Sequence, residues 1–183
     1  MNNIVAIVGL CGSGKSEVSN YFEEKGYEKI HFGSITMEEM QRQNLPVNEK
    51  NEKLIREKLR KEKGMGVYAL LSLPKIENAL KNGKNVLIDG LYSFSEYKIL
   101  KEKYNFKLIV LAIYTQKKLR YERLSKRKVR PLTEKESEER DFAEIENIEK
   151  GGPIAIADYT VINNSGLDQL KIELDKFVNC INL

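Results

Sequence analysis

The residues with the clearest chemistry lie near the amino end, as Gly9-Leu10-Cys11-Gly12-Ser13-Gly14-Lys15-Ser16. They fit the spacing G-x-x-x-x-G-K-[ST] at every position. Gly9, Gly12 and Gly14 let the backbone take positive φ and approach an anion closely. Successive N–H groups then converge on one concavity at the amino end of a helix. Lys15 can bridge the β- and γ-phosphates of a nucleoside triphosphate, and Ser16 offers its hydroxyl to Mg²⁺. The expected ligands are therefore ATP, or a related triphosphate, and Mg²⁺. The expected contacts are Gly9, Cys11, Gly12, Ser13, Gly14, Lys15, Ser16 and Glu17. Cys11 occupies a variable slot, where a small filler residue explains it better than a redox switch.

A second candidate is Asp89, in Val86-Leu87-Ile88-Asp89-Gly90. An acid at the carboxyl end of an apolar strand can orient a Mg²⁺-bound water or accept a proton. Asp89 thus joins Ser16 as a metal candidate and Lys15 as a catalytic one. An Asp-Gly pair after an apolar run is also an ordinary turn signal.

A third is the basic stretch Lys117 to Arg130, in which eight of fourteen residues are Lys or Arg. Cations on a closing segment stabilise the charge spread over a transferring phosphoryl group. Arg123 and Arg127 lie four apart, on one face of an expected helix. Arg130, beside Pro131, joins them when its loop closes. Lys117, Lys118 and Lys128 read as a solvated face. Aromatic interleaving is limited to Tyr121, so nucleic acid is not an expected partner. His31 is the only histidine, and a strand-end histidine reads as structural before catalytic.

These residues need a scaffold. Apolar runs mark strands at Ile4–Val8, Glu28–Phe32, Asn85–Asp89, Leu108–Ile113 and Tyr159–Ile162. Val18, Tyr21 and Phe22 fall at helical spacing after Lys15, with Gly26 as a stop. From Ile35 to about Leu80 the pattern is helical, with interruptions expected at Pro46, Gly64-Met65-Gly66 and Pro74. Charged helices follow at Gln116–Arg127 and Thr133–Lys150. Leu167, Leu170, Leu174, Phe177, Val178 and Ile181 mark one face of a terminal helix. Strands alternating with helices argue for an α/β domain: a five-stranded parallel sheet with helices on both faces. Residues 1–183 are expected to form one domain, with an acceptor-side insertion at about 35–80 and a lid at about 127–152.

Composition agrees. The 183 residues carry 41% hydrophobic and 32% charged residues and a net charge of +4. The mild positive charge favours anionic ligands without specifying one. No apolar run has the length of a membrane span, and no secretory signal is apparent. Two distant cysteines, Cys11 and Cys180, form no disulfide framework and, with one histidine, no transition-metal site. A cytoplasmic location is expected.

Taken together, these stretches resemble the P-loop nucleotide and nucleoside kinases, which include adenylate kinase and dephospho-CoA kinase. The likeness covers nearly the whole chain. It rests on Gly9–Ser16, on Val86–Gly90, on Glu122-Arg123-Leu124-Ser125-Lys126-Arg127 running into Arg140-Asp141, and on Ile156-Ala157-Asp158-Tyr159-Thr160-Val161-Ile162-Asn163-Asn164. The resemblance implies the three-layer P-loop NTPase fold with a small lid. It implies that Arg123 packs on the nucleotide base and that Arg127 is a lid arginine reaching phosphates. It further implies that Arg140 reaches across from the lid helix and that Asn163 and Asn164 lie beside adenine. Ser34, Gly90, Tyr92 and Arg140 then fall on the acceptor side. Two stretches depart from the family pattern. His31-Phe32-Gly33-Ser34 lacks the acid that usually follows the second strand, and Tyr92-Ser93 stands where relatives often place an arginine.

The expected function is an ATP-dependent phosphotransferase acting on a small nucleotide or nucleotide-like acceptor. The alternatives are an NTP-binding regulator or slow NTPase without an acceptor, and a nucleic-acid kinase using residues 117–130. An open cleft over residues 33–80 with convergent Arg, Lys or Tyr side chains favours the first. A closed or apolar face favours the second.

Overall fold

A computed structural model of the chain describes residues 2–181. Five strands, β1 (Ile4–Val8), β2 (Glu28–His31), β3 (Val86–Asp89), β4 (Leu108–Tyr114) and β5 (Tyr159–Ile162), form one sheet in the order β2-β3-β1-β4-β5. Every pairing is parallel. β1 sits at the centre and is buried at all five positions, as a strand covered on both faces must be.

Its alternation divides the core. Ile4, Ala6 and Val8 face one apolar cluster with Phe32, Met40, Ile55, Tyr68 and Leu100. Val5 and Ile7 face the other, with Phe22, Leu87, Leu111, Leu174 and Phe177. Helices α1 (Lys15–Glu24) and α9 (Leu167–Ile181) supply the second cluster. Helices α2 (Ser34–Arg42), α3 (Glu49–Lys63), α4 (Val67–Lys81) and α5 (Phe94–Tyr104) supply the first. The result is three layers, α/β/α. Among the described residues, no helix is long and apolar enough to cross a membrane.

Three expectations change. Pro74 lies inside α4 and does not interrupt it. The bond it cannot donate would go to the Leu70 carbonyl, and Leu70 lies on the exposed side of the helix. Helix α6 (Lys117–Ser125) ends before Arg127. Arg123 and Arg127 therefore do not share a helix face. Helix α7 (Glu134–Glu146) is shorter than the expected Thr133–Lys150. The chain turns at Glu149, whose φ is 59°, and runs through the short α8 (Gly151–Ala155) into β5.

Helix α5 is an element the periodicity did not reveal. Its start is nonetheless written locally: Ser93 accepts from the Glu96 N–H, and the Glu96 carboxylate accepts from the Ser93 N–H. That capping box is legible as S-x-x-E.

Candidate functional site

The loop joining β1 to α1 is a concavity that side chains would fill. Gly9, Gly12 and Gly14 have φ of 148°, 82° and 97°. A Cβ on Gly9 would stand 2.6 Å from the Ile113 carbonyl oxygen, and one on Gly12 would stand 2.8 Å from that of Arg120. A Cβ on Gly14 would collide with the Asn163 amide. Half-buried Lys15 turns its Nζ onto the loop's own Gly9 and Leu10 carbonyls, at 2.8 and 3.0 Å. Withdrawal from water, and then the positive charge of Lys150, lower its pKa to about 8. Ser16 and Glu17 are exposed at the first turn of α1. The loop thus fits a triphosphate: its backbone forms the cradle, Lys15 and the helix amino end carry positive charge, and the Ser16 hydroxyl is open for Mg²⁺.

Several groups brace this loop. The buried Ser13 carbonyl accepts from Thr115 Oγ1 at 3.1 Å and from Asn163 Nδ2 at 2.9 Å. Arg123 donates to the Asn163 carbonyl at 3.0 Å. Asn164 Oδ1 accepts from the Gln116 N–H at 3.0 Å, at the start of α6. The Asn163 side-chain nitrogen is therefore engaged by the loop, and its carbonyl by Arg123 and Thr115. Cys11 is buried among Tyr121 and Leu124, as a filler residue would be. Arg127, beyond the helix, still comes to the loop, its Nη1 3.8 Å from Cys11 Sγ.

On the other side of Lys15 stands Asp89. The register pairs His31 with Asp89 across β2 and β3, and the imidazole Nδ1 lies 3.3 Å from Asp89 Oδ2. Ser19 Oγ, from α1, reaches the same oxygen at 3.4 Å. Burial pushes the Asp89 carboxyl up. The hydrogen bond from His31 and the charges of Lys29 and Lys15 outweigh it and hold the group below its ordinary value, hence ionised. Gly90 has φ of 103°, and a Cβ there would stand 2.8 Å from the Tyr92 ring. Tyr92 therefore folds back over the end of β3. Its N–H donates to Glu96 Oε2 at 2.7 Å. Fully buried Glu96 is pushed up to about 7 by burial, against the two backbone N–H bonds and the Arg60 and Lys150 charges.

Beyond Tyr92 a cleft of about 710 Å³ opens between α2, α3, α4 and α7. Arg56, Arg60, Tyr68, Tyr92, Arg130 and Arg140 converge on it. The Arg60 guanidinium lies 5.2 Å from the centre of the Tyr68 ring. Arg130, from the loop before α7, crosses the cleft to Glu49 at 2.8 Å and Glu52 at 4.0 Å on α3. Arg140 stands 3.5 Å from Glu144 on its own helix. Ser34 lies elsewhere. It hydrogen-bonds Glu38 and lines a separate cavity of about 520 Å³ at the β2 edge, with Lys29 and Lys75.

Two buried ion pairs near the site have no signature in the sequence. Arg120 and Asp141 form a buried pair behind the loop, and Lys150 and Glu144 form another at the cleft. Asp141 follows Arg140 in the chain, but no spacing signals its partner. Lys150 carries no local signal.

Residues 5–146 match the family described as AAA domain. A UPF0200 protein of Thermococcus kodakarensis is 33% identical over 179 residues, covering 96% of each chain. Dephospho-CoA kinase from Campylobacter jejuni has the same fold, with a TM-score of 0.63 at 17% identity over 100% of both chains. Shikimate kinase from Bacteroides thetaiotaomicron does too, with a TM-score of 0.59 at 14% identity over 99% of both. The chain belongs to the AAA-domain family and to the UPF0200 proteins, and its fold is that of the P-loop kinases.

Proposed function

We propose that the chain is an ATP-dependent phosphotransferase acting on a small acceptor, a nucleotide or nucleotide-like molecule, held in the cleft beside Tyr92. The observation that carries this reading is the cleft itself. It is open, polar and lined by convergent Arg and Tyr side chains from residues 33–80, whereas a regulator without an acceptor needs no such second pocket.

Residues 9–16 hold the triphosphate through backbone N–H groups and Lys15. Ser16 and Asp89 hold Mg²⁺, which screens phosphate charge and orients the oxygens when bound. Lys15, Arg127 and Arg130 face the charge that develops on the transferring group. Arg123 takes the base side together with Asn163 and Asn164. Gly90, Tyr92 and Arg140 bound the acceptor. Closure of the 127–152 segment over the cleft excludes water, because hydrolysis competes with transfer.

One observation favours a slow NTPase instead. His31-Phe32-Gly33-Ser34 offers no carboxylate to the acceptor, and Asp89 Oδ2 is already shared by His31 and Ser19. One screen separates the readings. Mg·ATP is supplied with a panel of nucleoside monophosphates, their deoxy forms, nucleosides and dephospho-CoA, and ADP release is followed with Lys15→Ala as control. Acceptor-dependent release lost in the variant supports the phosphotransferase. Equal release with every acceptor supports the NTPase, and full activity in Lys15→Ala would sink both.

A further inference from the structure

His31 is held by one ring nitrogen and presents the other. The alternation of β2 sends Ile30 into the core and His31 to the opposite side. The strand register sets His31 against Asp89, and the Phe32 N–H donates to the Asp89 carbonyl at 3.0 Å. Nδ1 thereby comes to 3.3 Å from Asp89 Oδ2. Asp89 is paired on its other side with Ile7 of β1, just before Gly9. The imidazole and its carboxylate therefore stand at the carboxyl edge of the sheet, beside the glycine-rich loop, where folds of this class bind ligands.

Gly33 shows which way Nε2 faces. Its φ of −61° is one that any residue adopts, so the backbone does not require glycine there. The imidazole does. A Cβ on Gly33 would collide with Nε2 and stand 3.1 Å from Cδ2. Gly33 and His31 both line the large cleft, and the His31 side chain is 46% exposed. The ring also borders the smaller cavity at the β2 edge, but Gly33 does not, so the Nε2 edge is the one on the cleft.

The chemistry of that nitrogen follows from its partner. An ionised carboxylate only accepts hydrogen bonds, so Nδ1 carries the ring proton and Nε2 keeps a bare lone pair. A lone pair needs a donor. A fully ionised phosphate offers none, whereas a hydroxyl does. The stretch His31-Phe32-Gly33-Ser34, which offers an acceptor no carboxylate, offers it this nitrogen instead.

We propose that His31 holds the acceptor, and that the acceptor is phosphorylated on a hydroxyl. Nε2 accepts the hydrogen bond of that hydroxyl and aims its oxygen at the terminal phosphorus of the triphosphate. As the new O–P bond forms and the bond from phosphorus to the ADP oxygen breaks, the hydroxyl proton passes to Nε2. It leaves to water after the product departs. The proposal rests on the phosphotransferase reading and narrows its acceptor to one that reacts through a hydroxyl rather than through a phosphate.

The test uses the full chain with Mg·ATP and the acceptor panel of the screen above, with products read by phosphorus NMR. Transfer to a hydroxyl gives a phosphomonoester, and transfer to a phosphate gives a phosphoanhydride, which resonates apart from it. Nucleoside monophosphates discriminate directly, because they carry both groups. A monoester is expected from every acceptor that is turned over. An anhydride overturns this inference and leaves the phosphotransferase reading standing. Acceptor-independent ADP release throughout the panel overturns both.

Two variants separate the ring nitrogens. His31→Asn sets an amide near Nδ1 and nothing at Nε2, whereas His31→Gln sets its amide near Nε2 and gives up the Asp89 contact. Acceptor-dependent turnover is expected to fall about tenfold or more in His31→Asn, with more retained in His31→Gln. A Gln variant no more active than the Asn variant means that the ring serves only to orient Asp89, and that overturns the assignment. His31 is the only histidine, so nitrogen NMR of the wild type shows a single imidazole. Its neutral form is expected to carry the proton on Nδ1, and a proton on Nε2 overturns the inference without any variant.

Discussion

Arg120 and Asp141 meet as a buried two-pronged pair, with N–O distances of 2.8 and 2.6 Å, and the Arg120 nitrogen on the longer bond also donates to the Cys11 carbonyl at 3.0 Å. Tyr121 adds its hydroxyl to the same carboxylate at 3.1 Å. One guanidinium thus joins α6, α7 and the loop between β1 and α1. Asp141→Ala leaves that guanidinium buried and uncompensated. The expected cost is about 3–5 kcal/mol, which lowers the melting temperature by roughly 10 °C for a chain of this size. Thermal unfolding followed by circular dichroism measures it. A melting temperature within about 2 °C of wild type would show that the pair contributes little.

Gly12 is fixed by the same helix. Its φ of 82° disfavours any side chain, and its absent Cβ would stand 2.8 Å from the Arg120 carbonyl. Gly12→Ala must therefore move either the loop or α6. Nucleotide affinity is expected to fall by about tenfold or more, with a stability loss above about 1 kcal/mol. Fluorescent-nucleotide titration and denaturant unfolding of the same sample report the two effects.

Glu96 makes stability depend on pH. Burial raises its folded-state pKa to about 7, against an unfolded carboxyl near 4.5. Between these values the folded state binds more protons than the unfolded one. The contribution is thus full below pH 4.5 and is lost as pH rises to 7, amounting to about 3 kcal/mol at most. Glu96→Gln keeps the side-chain acceptor for Tyr92 and Ser93 and removes the ionisation. Urea unfolding at pH 5 and pH 8 should give a smaller difference in the variant than in the wild type. Equal differences would refute the assignment.

Arg130 and Glu49 form a bridge across the cleft, with side chains 64% and 60% exposed. Exposed pairs contribute less than about 1 kcal/mol, so Arg130→Ala should leave the melting temperature nearly unchanged. The bridge nevertheless fixes the loop before α7 against α3. Its removal should speed tryptic cleavage within Lys126–Lys128, because local opening sets that rate. Unchanged cleavage at unchanged stability would mean that the bridge does not restrain the loop.

The Ser93–Glu96 box shows what local sequence can convey beyond periodicity. It marks the start of α5 in four residues, while the amphipathic signal over Phe94–Tyr104 is too weak to mark the helix. Pro74 shows the reverse: a local breaker overridden inside α4, which packs one face on the core.

What the sequence determined by itself is the glycine-rich motif between β1 and α1 and the scaffold around it. Gly9, Gly12, Gly14, Lys15 and Ser16 are contiguous, and their conformational and chemical demands are local. The five apolar runs, each short and bounded by turns, required a parallel sheet between helical layers. The tertiary structure alone decided which distant charges meet. Asp89 finds His31 only through strand register. Arg120 finds Asp141 across the α6–α7 turn, and Lys150 meets Glu144 where the chain reverses at Glu149. The physical reason is that a buried ion pair is specified by three-dimensional proximity and desolvation, neither of which has a period or a spacing along the chain.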